Sequence, residues 1–156
     1  MEEARKERVM AYVFLLVFVA ILLWFGRTFA RLVPLAMDTS FPVTPLVAGA
    51  VILSLATVFP LMSTFRAEEA ATLLERMRTK AGRRGKRVTL QTAGRAFSMY
   101  AIALAATPMF YGLALIFLVG DFTVMLLLLP ASVILAVVGW FVVGRVLEAM
   151  RTMFLQ

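Results

Sequence analysis

Apolar and polar positions along this chain fall into long blocks and do not alternate. Four runs free of Asp, Glu, Lys and Arg, at 9–26, 46–65, 96–120 and 122–144, are separated by polar stretches. A helix needs about 20 predominantly apolar residues to cross a bilayer, so each run predicts one span. The first run is short, at 18 residues, and its helix is expected to continue through Arg27 and Arg31, whose side chains snorkel toward the headgroups. No small-residue cleavage site follows this run, only Trp24-Phe25-Gly26-Arg27, so it reads as a retained helix and not as a secretory signal. The expected fold is an all-α membrane protein, with four transmembrane helices as two hairpins in one integral membrane domain over 1–156. A basic loop at 66–95 joins the hairpins.

The punctuation between runs agrees with hairpins. Asp38 to Pro45 reads as a short loop, with Thr44 as N-cap of the second span and Pro45 at its first helical position. Gly120 is expected to end the third span and Asp121 to cap the fourth. Within the basic loop, Ala67, Ala70, Leu73, Leu74 and Met77 recur at helical spacing. They predict an amphipathic helix that prolongs the second span and breaks at Gly82 and Gly85. Thr92-Ala93-Gly94 then leads into the third span.

In lipid, small side chains let helix backbones approach closely. Ser98, Ala101, Ala105, Pro108 and Gly112 form such a seam on the third run, and Ser132, Ala136 and Gly139 form one on the fourth. The second has Ala50, Ser54 and Thr57. The first is bulky on most faces, so spans two to four are expected to make the tight core, with the first packed peripherally against lipid or a partner. Pro60, Pro108 and Pro130 lie inside runs and are read as structural kinks. Tyr111 falls deep enough to donate a hydrogen bond to another helix.

Charge adds sidedness. Of the 16 Lys and Arg, nine lie in 66–95, three in the N-terminal tail and two near the C-terminal end, against only Arg27 and Arg31 on the opposite side. Fourteen against two is a strong positive-inside bias, placing both termini and the central loop in the cytoplasm. The thirteen Arg to three Lys are compatible with a GC-rich prokaryotic genome, and the orientation fits a bacterial inner (plasma) membrane. Arg83, Arg84, Lys86 and Arg87 read as topology determinants that touch anionic headgroups, since no folded nucleic-acid module surrounds them; no nucleic-acid partner is expected. Arg27 and Arg31 form a two-point cationic face suited to an anionic lipid or an acidic partner, with Asp38 as local counter-ion. Arg145, Glu148 and Arg151 sit past the fourth run, the first two spaced as an i,i+3 ion pair.

Composition then narrows the chemistry. The chain is 62 % hydrophobic and 16 % charged, with no Cys and no His. The thiol nucleophile, the commonest metal ligand and the usual general base are therefore missing, and neither a metal nor a cofactor is expected. No ionisable residue of the kind that serves pumps and proton relays interrupts the four runs.

Ala103 to Leu113, with its Tyr111-Gly112-Leu113, resembles the second helix of rotary ATP synthase proteolipids. In that family an ion-carrying carboxylate stands five residues before the Tyr; here that position is Ala106. The resemblance spans eleven residues and implies a proteolipid-like arrangement of two hairpins, without ion translocation.

Three functions follow as expectations. The first is a non-catalytic accessory, assembly or scaffold subunit of a larger membrane complex, in contact with other membrane subunits or with copies of itself. The alternative is a small oligomeric channel or carrier whose path runs along the seam of the third span. A lipid-acting enzyme built on Arg27, Arg31 and Asp38 is the weakest, because such chemistry needs a positioned base or a metal cage.

Overall fold

The computed structural model describes residues 2–32, 43–64, 66, 69–82 and 87–154. Among them every element is helical: α1 (Glu2–Leu32), α2 (Val43–Ala56), α3 (Val58–Thr64), α4 (Ala70–Gly82), α5 (Leu90–Val119) and α6 (Thr123–Phe154). Three stretches, Arg5–Leu32, Leu90–Val119 and Thr123–Met153, are long and apolar enough to cross a membrane. That is the signature of an integral membrane protein.

The α5–α6 hairpin is the heart of the molecule. Gly120 adopts φ 72°, the left-handed region open to glycine, and its N–H donates to the Ile116 carbonyl at 2.8 Å. Asp121 Oδ1 accepts from the Thr123 N–H at 2.8 Å, so one dipeptide closes α5 and opens α6. At its other end α5 starts earlier than expected. Thr89 is the N-cap and shares a capping box with Thr92, which satisfies backbone donors ahead of the apolar run. Expected lead-in residues Ala93 and Gly94 lie inside the helix and are buried.

The second expected span is divided. Pro60 lacks the N–H that would bond the Ala56 carbonyl, and its ring clashes with that carbonyl in a continuous helix. The chain responds with a turn at Thr57, whose N–H and hydroxyl both go to the Ser54 carbonyl, at 3.2 and 2.6 Å. Pro60 is then accommodated in the first turn of α3. The expected Thr44 cap also shifts, because α2 begins at Val43. Nor does α4 prolong this segment as one helix, since α3 ends at Thr64 and Arg66 lies outside any helix. Gly82 is the last residue of α4; Gly85 and Ala67 lie outside the described residues.

Three apolar layers run from the hairpin turn to the opposite, open end. Near the turn, Leu22 and Ala50 pack with Met109, Ile116, Met125 and Leu128. In the middle, Ala11 and Leu15 meet Ile102, Ala105, Ala106 and Leu135. At the open end, Ala70 and Leu74 of α4 pack with Ala93, Phe97, Val146, Leu147 and Met150. The path of α2, α3 and α4 therefore descends from the turn layer to the open-end layer. At 1.5 Å per residue, the 30 residues of α5 and 32 of α6 reach about 45–48 Å, longer than a hydrocarbon core of about 30 Å.

Helix α1 departs from its expected peripheral place. It packs along α5 far more extensively than α2 packs on either helix of the hairpin. The reason is a narrow stripe, Ala11, Leu15, Leu22 and Gly26, that is buried while the bulky remainder is exposed. Phe18 tilts against Phe110 and Phe29 against Phe117, fixing α1 parallel to α5. Two aromatic-aromatic-glycine tripeptides, Trp24-Phe25-Gly26 and Phe110-Tyr111-Gly112, each bring their glycine against Met125.

Two buried serines in the hairpin differ in a way that can be tested. Ser132 Oγ donates to the Ala105 carbonyl across the α5–α6 interface, whereas Ser98 Oγ is buried with no partner among the described residues. Interhelical hydrogen bonds in membranes average about 0.6 kcal/mol and reach about 1.7. Ser132→Ala is expected to lose that amount in a denaturing-detergent titration. Ser98→Ala is expected to be neutral or stabilising, because it removes an unsatisfied buried hydroxyl. The reverse order would refute this assignment.

Candidate functional site: the helix seam and a basic cleft

The small-residue stripes of α5 and α6 face each other. Ser98, Ala101, Ala105, Pro108, Gly112, Ser132 and Gly139 are buried, and Ala136 is half-buried. A Cβ on Gly139 would stand 3.0 Å from Ala101 Cβ, and one on Gly112 would stand 3.1 Å from Met125 Cα. Backbones at that separation leave no channel between the two stripes. Pro108 sits within an unbroken α5. Near it the Thr107 hydroxyl donates to the Ala103 carbonyl at 3.1 Å and the Ser132 hydroxyl donates to the Ala105 carbonyl.

The expected cationic contacts lie apart from this seam. Arg27 and Arg31 are exposed near the end of α1, one turn apart; Asp38 lies outside the described residues. Arg87 is exposed just before α5, and Arg83, Arg84 and Lys86 lie outside the described residues. Tyr111 makes no hydrogen bond to another helix among the described residues. Held half-buried in the turn layer, it leaves that role to Tyr12, whose hydroxyl donates to the Ala136 carbonyl on α6 at 3.1 Å.

Tyr12 belongs to a constellation that the sequence reading missed. Trp140 on α6 is clasped by two residues one turn apart on α1. The Arg8 guanidinium lies over its ring, with Cζ 4.1 Å from the centroid, and Arg8 Nη2 donates to the Trp140 carbonyl at 2.7 Å. The Tyr12 ring meets Trp140 edge-on, centroids 4.9 Å apart at 83°. Tryptophan offers the best aromatic face for a cation, and an aromatic edge contact adds about 0.5–1.5 kcal/mol. Gly144 makes room, since a Cβ there would lie 3.1 Å from both terminal Arg8 nitrogens. Beside this clasp opens a cleft of about 420 Å³, lined among others by Arg5, Arg8, Arg145 and Glu148. Arg145 and Glu148 both line that cleft, and no ion pair joins them among the described residues. A signal was present in the sequence. Arg8 and Arg145 flank the first and fourth apolar runs, and Tyr12 and Trp140 stand just inside them, at the run ends where amphipathic aromatics gather.

No family model, curated protein or solved structure matches the chain.

Proposed function

We propose that this chain is a non-catalytic accessory, assembly or scaffold subunit of a larger membrane complex. The observation that carries the reading is the division of labour among its surfaces. The hairpin interior is filled by small residues and by Met109, Ile116, Met125 and Leu128, while α1 presents Phe14, Leu16, Val17, Ile21, Trp24 and Phe25 outward. A seam packed this closely offers no solute path within one copy, so the channel or carrier alternative draws no support from the geometry. The outward aromatic and aliphatic face of α1 is suited to lipid and to the helices of a neighbouring subunit.

In this proposal the chain crosses the membrane four times, with α2 and α3 together making the second crossing as a broken helix. Chain geometry supports it. Gln91 at the start of α5 bonds Glu7 near the start of α1 at 3.0 Å, while α1 ends beside the α5–α6 turn. The connecting segment must therefore return along the length of the bundle. Both termini and the 66–95 loop are cytoplasmic, by the fourteen-to-two distribution of Lys and Arg, in a prokaryotic inner membrane.

Affinity purification from native membranes in mild detergent tests the role. Co-purification of a defined set of membrane subunits in stable proportion is the expected result. A monodisperse, solitary monomer under the same conditions would refute it.

A further inference from the structure

The cleft beside Trp140 has the charge and shape of a phospholipid site. Its polar mouth is lined by Arg5, Arg8 and Arg145 against Glu148 alone, three cations to one anion, a net of two positive charges. Arg8 has its guanidinium plane fixed by the Trp140 ring and one donor committed to the Trp140 carbonyl. Its buried Nε has no acceptor among the described residues. A guanidinium held this way is pre-organised for a phosphate oxygen. Trp140 and Phe141 also line a second depression of about 390 Å³, with Tyr12, Ala136 and Val137. This groove is apolar and begins where the cationic mouth ends.

Charge and grease thus follow one another along α6. From Glu148 to Ala136 the helix descends about 18 Å, at 1.5 Å per residue, comparable with one leaflet's share of a bilayer core about 30 Å thick. A soluble phosphate would use only the mouth. A surface lipid contact would need no groove. We infer that this site holds one anionic phospholipid, its phosphate among Arg5, Arg8 and Arg145 and one acyl chain in the groove over Trp140 and Phe141. The net charge of the mouth selects an anionic headgroup over a zwitterionic one, whose own cation would meet the same arginines. The site rests on the membrane reading alone and is independent of the accessory role.

Tryptophan fluorescence reads this site directly. The chain has two Trp, and Trp24 is 69 % exposed on the far part of α1, so Trp24→Phe leaves Trp140 as sole reporter. This protein is reconstituted in phosphatidylcholine vesicles containing a minor fraction of brominated phosphatidylglycerol, or the same fraction of brominated phosphatidylcholine. Preferential quenching by the anionic lipid is expected. Adding Arg5→Gln and Arg145→Gln should lower that preference by about thirtyfold, at about 1 kcal/mol per basic residue. Arg8 is left in place to hold Trp140. Adding Arg66→Gln and Arg76→Gln instead removes equal charge from exposed positions on the same membrane side, outside the cleft, and should change nothing.

Equal quenching by the two lipids would overturn the proposal. So would a preference unmoved by the Arg5/Arg145 pair, or one lowered equally by the Arg66/Arg76 pair, which signals general surface charge. Relief of quenching by glycerol phosphate in solution would overturn it too, by showing a site for soluble phosphate. Circular dichroism of each variant establishes that the helices are intact.

Discussion

Gly112→Leu is expected to separate α5 from α6, at a large cost in stability. A Cβ at position 112 would lie 3.0 Å from Met125 Cγ and 3.1 Å from Met125 Cα. A side-chain tip can swing aside, but the Cα belongs to a helix backbone and cannot. Inserting carbon into a well-packed interior costs about 1–3 kcal/mol. Gly112→Ala should fall in that range and Gly112→Leu beyond it. Gly26 supplies the comparison, because its Cβ would meet Met125 Sδ at 2.7 Å, the mobile end of a flexible side chain. Gly26→Ala should therefore be markedly milder. Gly49 has nothing within 4 Å of the same position. Gly49→Ala should stabilise by about 0.8–1 kcal/mol through helix propensity. Denaturing-detergent titrations of the four variants measure the series. If Gly112→Ala is no worse than Gly26→Ala, the close approach of α5 and α6 is not what holds the hairpin.

Pro60→Leu is expected to fuse α2 and α3 into one helix over 43–64. Proline in a helix interior costs about 3 kcal/mol relative to ordinary residues, and its removal restores an N–H that can bond the Ala56 carbonyl. Twenty-two residues at 1.5 Å each give about 33 Å, enough to span a hydrocarbon core unbroken. Amide hydrogen exchange in micelles reads the change at Val58, Phe59 and Leu61, in the first turn of α3. The native chain should exchange quickly there, and the variant should be protected by a continuous ladder. Exchange that stays fast would mean that packing of α3 on α6, and not the proline, sets the break.

Much of the fold was legible because lipid imposes simple rules. Uncharged runs became α1, α5 and α6, and Gly120-Asp121 could be little other than a turn. The small-residue stripes face one another because Ala105 and Ser132, or Ala101 and Gly139, leave nothing to hold the backbones apart. The break at Thr57 was not legible, although Pro60 was plain to see. Pro108 and Pro130 stand in the same kind of run, yet their helices continue unbroken. The difference is tertiary. Helices α5 and α6 are clamped together along their lengths, which holds the chain straight through a missing hydrogen bond, while α2 buries just Ala50 and Ser54 among its described side chains. The docking of α1 escaped for a related reason, since a buried stripe of Ala11, Leu15, Leu22 and Gly26 is masked by bulky neighbours in every window. The Arg8–Trp140 clasp joins residues 132 positions apart, a distance no local pattern spans.

The two-residue joint between α5 and α6 also has a bearing on the order in which the molecule comes together. Loop-closure entropy rises with the length of the segment closed, so these neighbours find one another with almost no search. Helix α1 must find a partner surface that does not exist until α5 and α6, both later in the chain, have left the ribosome. During synthesis its Ala11–Leu15–Leu22 stripe therefore waits in the bilayer uncovered. Contacts between distant parts of a chain form slowly, and the closing of α1 onto the hairpin becomes the late step of assembly. The clasp of Arg8 and Tyr12 on Trp140 is then a latch that shuts only when the rest of the bundle is in place.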